Sequence, residues 1–99
     1  MHLVQILLPL TGEPDTVRML LSQVRQELVS RFGGVTLYRY APAEGLWEDH
    51  GDMEEDRIVL AEVMTDALDN EWWAVYRETL EARFEQDEIV IRVLTMARL

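Results

Sequence analysis

The segment Arg57-Ile58-Val59-Leu60-Ala61-Glu62-Val63-Met64-Thr65 decides the fold. It is rich in β-branched and aliphatic residues and reads as a strand. Asp66 to Asn70 follows, with several residues that suit a helix N-cap. A helix is expected over about Asp69 to Phe84, where Trp73, Tyr76, Leu80 and Phe84 recur on one face, flanked by Trp72 and Val75. Glu88 to Met96 then reads as another strand. The whole is a strand–helix–strand unit.

A second such unit precedes it. His2 to Pro9 is a short apolar run stopped by proline, which predicts a buried strand. Thr11-Gly12-Glu13-Pro14-Asp15 supplies a turn and a helix start, with proline and an acid where the first turn favours them. Val17, Leu20, Leu21, Val24 and Leu28 make one stripe along a helix that runs to about Arg31, and Arg18 and Arg25 fall on its other face. Gly33-Gly34 ends that helix, because glycine accepts the left-handed conformation needed there. Val35 to Ala41 reads as the second strand, and Pro42 to Glu55 as a loop. Two strand–helix–strand units in succession predict an α+β fold, a ferredoxin-like βαββαβ domain spanning 1–99. Its sheet is expected to be four-stranded and antiparallel, of order 4-1-3-2, with both helices on one face.

Composition narrows the class. With 99 residues, 48% hydrophobic and 28% charged, the chain suits one folded core. It holds no cysteine, which excludes disulfides, thiolate nucleophiles and zinc–thiolate sites. Residues 1–10 are too short an apolar run to span a bilayer and lack the basic flank of a signal peptide, so a cytoplasmic location is expected. A net charge of −10 repels duplex nucleic acid and anionic membranes, so neither is an expected partner. All nine basic residues are arginine, which reads as the mark of a GC-rich bacterial genome.

Side chains alternate along strands, so each strand sorts into two faces. Val4, Ile6, Leu8, Val59, Ala61, Val63, Ile89, Ile91 and Val93 are assigned beneath the helices. Leu3, Gln5, Leu7, Ile58, Leu60, Glu62, Met64, Val90, Arg92, Leu94 and Met96 then occupy the opposite face. That face is too apolar to remain bare, since patches of several hundred Å² usually mark an interface. A homodimer packed sheet on sheet is expected. The arrangement is similar in topology to the dimeric α+β barrel superfamily, which packs two such sheets face to face. On the open face Gln5, Glu62 and Arg92 fall on adjacent strands, where a Glu–Arg pairing bridged by Gln would satisfy the charges.

Other candidates cluster near the second strand. Tyr38, Arg39, Tyr40 and Trp47 would form an aromatic site with Arg39 grasping a carboxylate or phosphate, or they would be edge-strand packing. Glu44, Glu48, Asp49, Asp52, Glu54, Glu55 and Asp56, with His50 among them, read as a solvated acidic loop; their spacing matches no EF-hand, and no metal is expected. Ser22 and Ser30 have no histidine close in sequence, and no nucleophile elbow, phosphate-cradling glycine loop or zinc-protease motif is present. No cofactor is expected, and no catalytic residues are assigned.

Arg31-Phe32-Gly33-Gly34-Val35-Thr36, then Gly45-Leu46-Trp47, Tyr76, and Phe84-Glu85-Gln86-Asp87-Glu88-Ile89-Val90 follow an order that resembles a family of small uncharacterised bacterial proteins, a domain-of-unknown-function group. The resemblance spans Leu28 to Val93 and carries no activity with it. The same residues have physical roles: Gly45 a turn, Phe84 a core closure, Gln86 a bond to loop backbone. Three functions follow from these readings. The first is a homodimeric binding or interaction module with a small-molecule pocket at the open face. The second is a cofactor-independent monooxygenase, isomerase or lyase of the dimeric-barrel type, using Tyr38, Glu62 and Arg92. The third is a subunit that docks to a larger complex through the acidic loop or Trp47.

Overall fold

A computed structural model describes residues 1–39 and 58–99. Its elements run β1 (His2–Pro9), α1 (Pro14–Phe32), β2 (Thr36–Tyr38), β3 (Ile58–Thr65), α2 (Asn70–Arg83) and β4 (Ile91–Thr95). The sheet is antiparallel and ordered β2-β3-β1-β4, which is 4-1-3-2 in reverse and fits a ferredoxin-like βαββαβ arrangement. β1 lies inside the sheet between β3 and β4, though these two strands come from the later half of the chain.

Local chemistry explains the helix ends. Pro14 occupies the first turn of α1 with Asp15 beside it, where a fixed φ and a negative charge both favour the helix. Gly33 closes α1 at φ 82° and donates its N–H to the Val29 carbonyl. An L-residue with a Cβ would be strained in that conformation. Asp69 caps α2, accepting the Trp72 N–H at 3.1 Å. α2 ends differently: Glu85 takes the left-handed φ of 53° without being glycine, and Gln86 N–H reaches back to the Glu81 carbonyl at 2.9 Å. These bonds satisfy carbonyls that a helix end otherwise leaves unpaired.

Alternation along the strands fills the core as expected. Val4, Ile6 and Leu8 of β1 and Val59, Ala61 and Val63 of β3 are buried. They join Leu20, Leu21, Val24 and Leu28 of α1 and Trp73, Tyr76 and Leu80 of α2 in one cluster, which Phe84 and Ile89 complete. Leucine, isoleucine and valine side chains withdrawn from water in this way each contribute about 1.5–3 kcal/mol. Phe32, Trp72, Trp73 and Tyr76 stack or meet edge to face with centroids 4.8–6.0 Å apart, and the Arg31 guanidinium lies 4.3 Å over the Trp72 ring. Val75, expected to flank this face, is instead largely exposed.

Two boundaries and one burial assignment are corrected. Among the described residues β2 spans Thr36–Tyr38, leaving out Val35 and Arg39 of the expected Val35 to Ala41; its pairs there are Thr36–Glu62, Leu37–Ala61 and Tyr38–Leu60, and Tyr40 and Ala41 lie outside the described residues. β3 is described from Ile58, since Arg57 too lies outside them. β4 spans Ile91–Thr95, shorter than Glu88 to Met96: the Val90 carbonyl still accepts from the Leu7 N–H of β1 at 3.0 Å, but the Ile89 N–H leaves the ladder and donates to the Glu81 carboxylate at 3.1 Å. Val93 has the helix-side parity but is 43% exposed. β4 is an edge strand, and the cover from α2 leaves a groove there between Trp73, Ala74 and Arg77 and the strand residues Ile91 and Val93. Among the described residues no helix is long and apolar enough to cross a membrane.

Candidate functional site

The sheet face turned away from the core carries the residues that sequence analysis set apart. The strand register places Thr36, Glu62, Gln5 and Arg92 directly opposite one another across β2, β3, β1 and β4. Gln5 Nε2 donates to Glu62 Oε1 at 2.7 Å, and Arg92 Nε donates to Gln5 Oε1 at 2.6 Å. The amide therefore joins a carboxylate on one side to a guanidinium on the other, using its donor toward the acid and its acceptor toward the base. Both bonds involve a charged group and belong to the stronger class. Glu62 and Gln5 are half-buried; Arg92 is exposed.

Apolar rows lie on either side of this polar one. On one side are Leu60 and Leu7, paired in register, with Val90 beyond them through the 3.0 Å bond from Leu7 N–H to the Val90 carbonyl. On the other are Met64, Leu3 and Leu94. Ile58, Met64, Val90 and Leu94 are each 44–48% exposed, so the face presents hydrophobic side chains to solvent in a single chain. Leu7, Leu60 and Leu94 are not tucked beneath the helices, as an altered register would have made them.

Tyr38 shares this face, opposite Leu60 at the end of β2. The Glu62 carboxylate, by its charge first and by hydrogen bonding second, holds the Tyr38 hydroxyl above the usual phenol range. A negative neighbour disfavours a second negative charge, so the phenol keeps its proton to higher pH. Glu62→Gln removes that charge, and the Tyr38 ionisation should move down toward the ordinary value of about 10. Ultraviolet titration, with the Tyr38→Phe difference assigning the signal, checks this; an unmoved midpoint would show that the two groups do not interact.

Of the predicted residues, the fold thus brings together Gln5, Glu62, Arg92 and Tyr38. Arg39 is exposed just beyond β2. Tyr40, Trp47, Gly45, His50 and the acidic run Glu44 to Asp56 lie outside the described residues. Gln86 does bond loop backbone, its side-chain amide reaching the Phe84 carbonyl at 3.4 Å. Two hollows, of 380 and 190 Å³, lie along the helical side of the molecule, and none of Gln5, Tyr38, Glu62 or Arg92 lines either of them.

One polar cluster escaped the sequence reading. Glu27 of α1 accepts from Arg83 of α2 through both carboxylate oxygens, the second at 3.1 Å, and from the Tyr76 hydroxyl at 3.4 Å. Burial first, and the Glu27 charge second, push the Tyr76 phenol well above its usual range. The hydrogen bond to Glu27 raises the already basic Arg83, against the opposing effect of burial. Spacing sets both charges on the packed stripes, Glu27 after Leu20 and Val24 on α1 and Arg83 after Tyr76 and Leu80 on α2, without telling that the two meet. The cluster ties the helices together, away from the open face.

No family model matches the chain, and no curated protein or solved structure matches it.

Proposed function

We propose that this protein is a homodimeric interaction module that pairs through the open face of its sheet. The carrying observation is the composition of that face, in which two apolar rows flank one polar row whose charges are already bridged through Gln5. A surface meant for water would place charges singly among its apolar residues. Here the hydrophobic side chains are contiguous, which in soluble proteins marks a contact surface. Withdrawing such chains from water drives association. The bridged row lowers what burial of its ions costs, because each charge enters with a partner in place.

A second copy of the chain is the occupant this face fits best. The polar row is negative at one end and positive at the other, so it is its own complement when reversed. The face-to-face pairing of two sheets is also what the likeness in topology to dimeric α+β barrels implies. In such a pair the helices stay on the outside and Tyr38 sits at the rim of the contact, where a small ligand would reach the Glu62 carboxylate.

Size-exclusion chromatography with light scattering on the whole chain tests the reading. A mass of two chains at micromolar concentration is the expected result. A single-chain mass held throughout the micromolar range would overturn it.

A further inference from the structure

We propose that the two-fold axis of the pair runs along β1 and passes through Gln5, so that Glu62 meets the partner's Arg92 at one end of the row and Arg92 meets the partner's Glu62 at the other. This rests on the face-to-face pairing proposed above and adds the register and the contact that selects it.

The geometry follows from the strand order. β3 and β4 flank β1 on opposite sides, with Glu62 and Arg92 each directly across from Gln5. Strands lie about 4.8 Å apart, so the two charges stand about 10 Å apart with the amide midway. Laying a second sheet on this face leaves two simple orientations of an in-plane two-fold axis. An axis across the strands, along the row, sets each charge against its own kind. An axis along β1 reverses the row and sets each charge against its opposite.

The apolar rows agree with the second orientation. Rotation about β1 places Leu60 over the partner's Val90, Leu7 over the partner's Leu7, Met64 over the partner's Leu94, and Leu3 over the partner's Leu3. Within these two rows no polar side chain is set against a hydrophobic one. The two sets of strands then run in the same sense, within the roughly 30° that twisted sheets adopt when they pack aligned. Arg92 is equipped for the contact: its Nε is committed to Gln5, while its terminal N–H groups, on an exposed side chain, make no hydrogen bond to the described residues. Guanidinium can bond in this way to an acceptor in its own chain and to a carboxylate across the interface. Opposite charges brought together away from water also suppress wrong registers, because like charges juxtaposed there are strongly disfavoured.

Charge reversal tests the arrangement. Glu62→Arg alone sets two arginines against each other at both ends of the row, and Arg92→Glu alone does the same with glutamates. Each should weaken self-association at least about 10-fold, read by light scattering across a dilution series. Mixed in equal amounts, the two variants should form a one-to-one pair, seen by native mass spectrometry in clear excess over either homodimer. The double variant, Glu62→Arg with Arg92→Glu, restores complementarity within and between chains, since the Gln5 amide can turn over to serve both ends. It should dimerise close to wild type, and this holds as a check if a single variant proves poorly folded by circular dichroism. Mixed pairs at or below the statistical proportion, or a double variant as weak as the singles while wild type remains dimeric, would overturn the axis and leave the pairing itself standing. A wild type that is monomeric would overturn both.

Discussion

Trp73→Ala should lower the free energy of unfolding by about 3–5 kcal/mol, the range for removing a buried large aromatic side chain. Trp73 is 7% exposed and stands at the meeting of α2 with the end of α1, its ring stacked on Phe32 at 5.3 Å and set edge-on to Trp72 and Tyr76. Truncation removes its own burial and deprives three other rings of a neighbour, and aromatic pairs contribute about 0.5–1.5 kcal/mol beyond area alone. In a domain of this size each kcal/mol lowers the melting temperature by roughly 4–8 °C. Chemical denaturation followed by circular dichroism measures the loss. Val75→Ala, on the same helix but 63% exposed, is the control and should stay within about 0.5 kcal/mol. Equal losses at the two positions would mean that α2 does not present the Trp73 face to the core.

Leu7→Arg is expected to abolish the proposed dimerisation while leaving the chain folded. Leu7 lies on β1, between Leu60 and Val90 on the open face, where Leu7 of one chain would rest against the partner's Leu7. An arginine there places two unpaired cations in the middle of an apolar contact. Association should weaken by at least about 100-fold, or about 2.7 kcal/mol. In the isolated chain that face is open to water, so the long side chain can lift its charge into solvent and lie its stem along the neighbouring leucines. Light scattering reads the assembly, and far-ultraviolet circular dichroism reads the fold. A Leu7→Arg chain that still pairs like wild type would locate the contact on some other surface.

Much of this geometry is legible in the sequence, for a definite reason. The alternation of Val4, Ile6 and Leu8 with Leu3, Gln5 and Leu7, and of Val59, Ala61 and Val63 with Leu60, Glu62 and Met64, has a period of two, so a strand reading assigns faces directly. The strand order then makes Gln5 the neighbour of both Glu62 and Arg92, and the observed bonds at 2.7 and 2.6 Å follow. The extent of β2 was not legible, because a strand's length depends on the partner opposite it: Val35 and Arg39 have β character but no register partner in the sheet. The exposure of Val93 was hidden for a similar reason, since parity says which way a side chain points and not how far the helix above it reaches. Glu27 and Arg83 are charged residues at stripe positions, and composition alone reads them as solvated. Their meeting depends on how α1 and α2 lie against each other, which helical periodicity does not encode.

The place of β1 at the centre of the sheet has a consequence for the birth of the molecule. β1 is made before the two strands that flank it, β3 and β4, and β4 ends at Thr95. A growing chain on the ribosome therefore carries Val4, Ile6 and Leu8 with one flank of their strand unzipped until β4 has been translated. Closing the sheet joins residues as far apart as Gln5 and Arg92, a loop-closure cost that slows folding. During that interval an adhesive strand is the exposed element, and a nascent chain halted before β4 is the form most prone to be captured by chaperones or to clump with its neighbours.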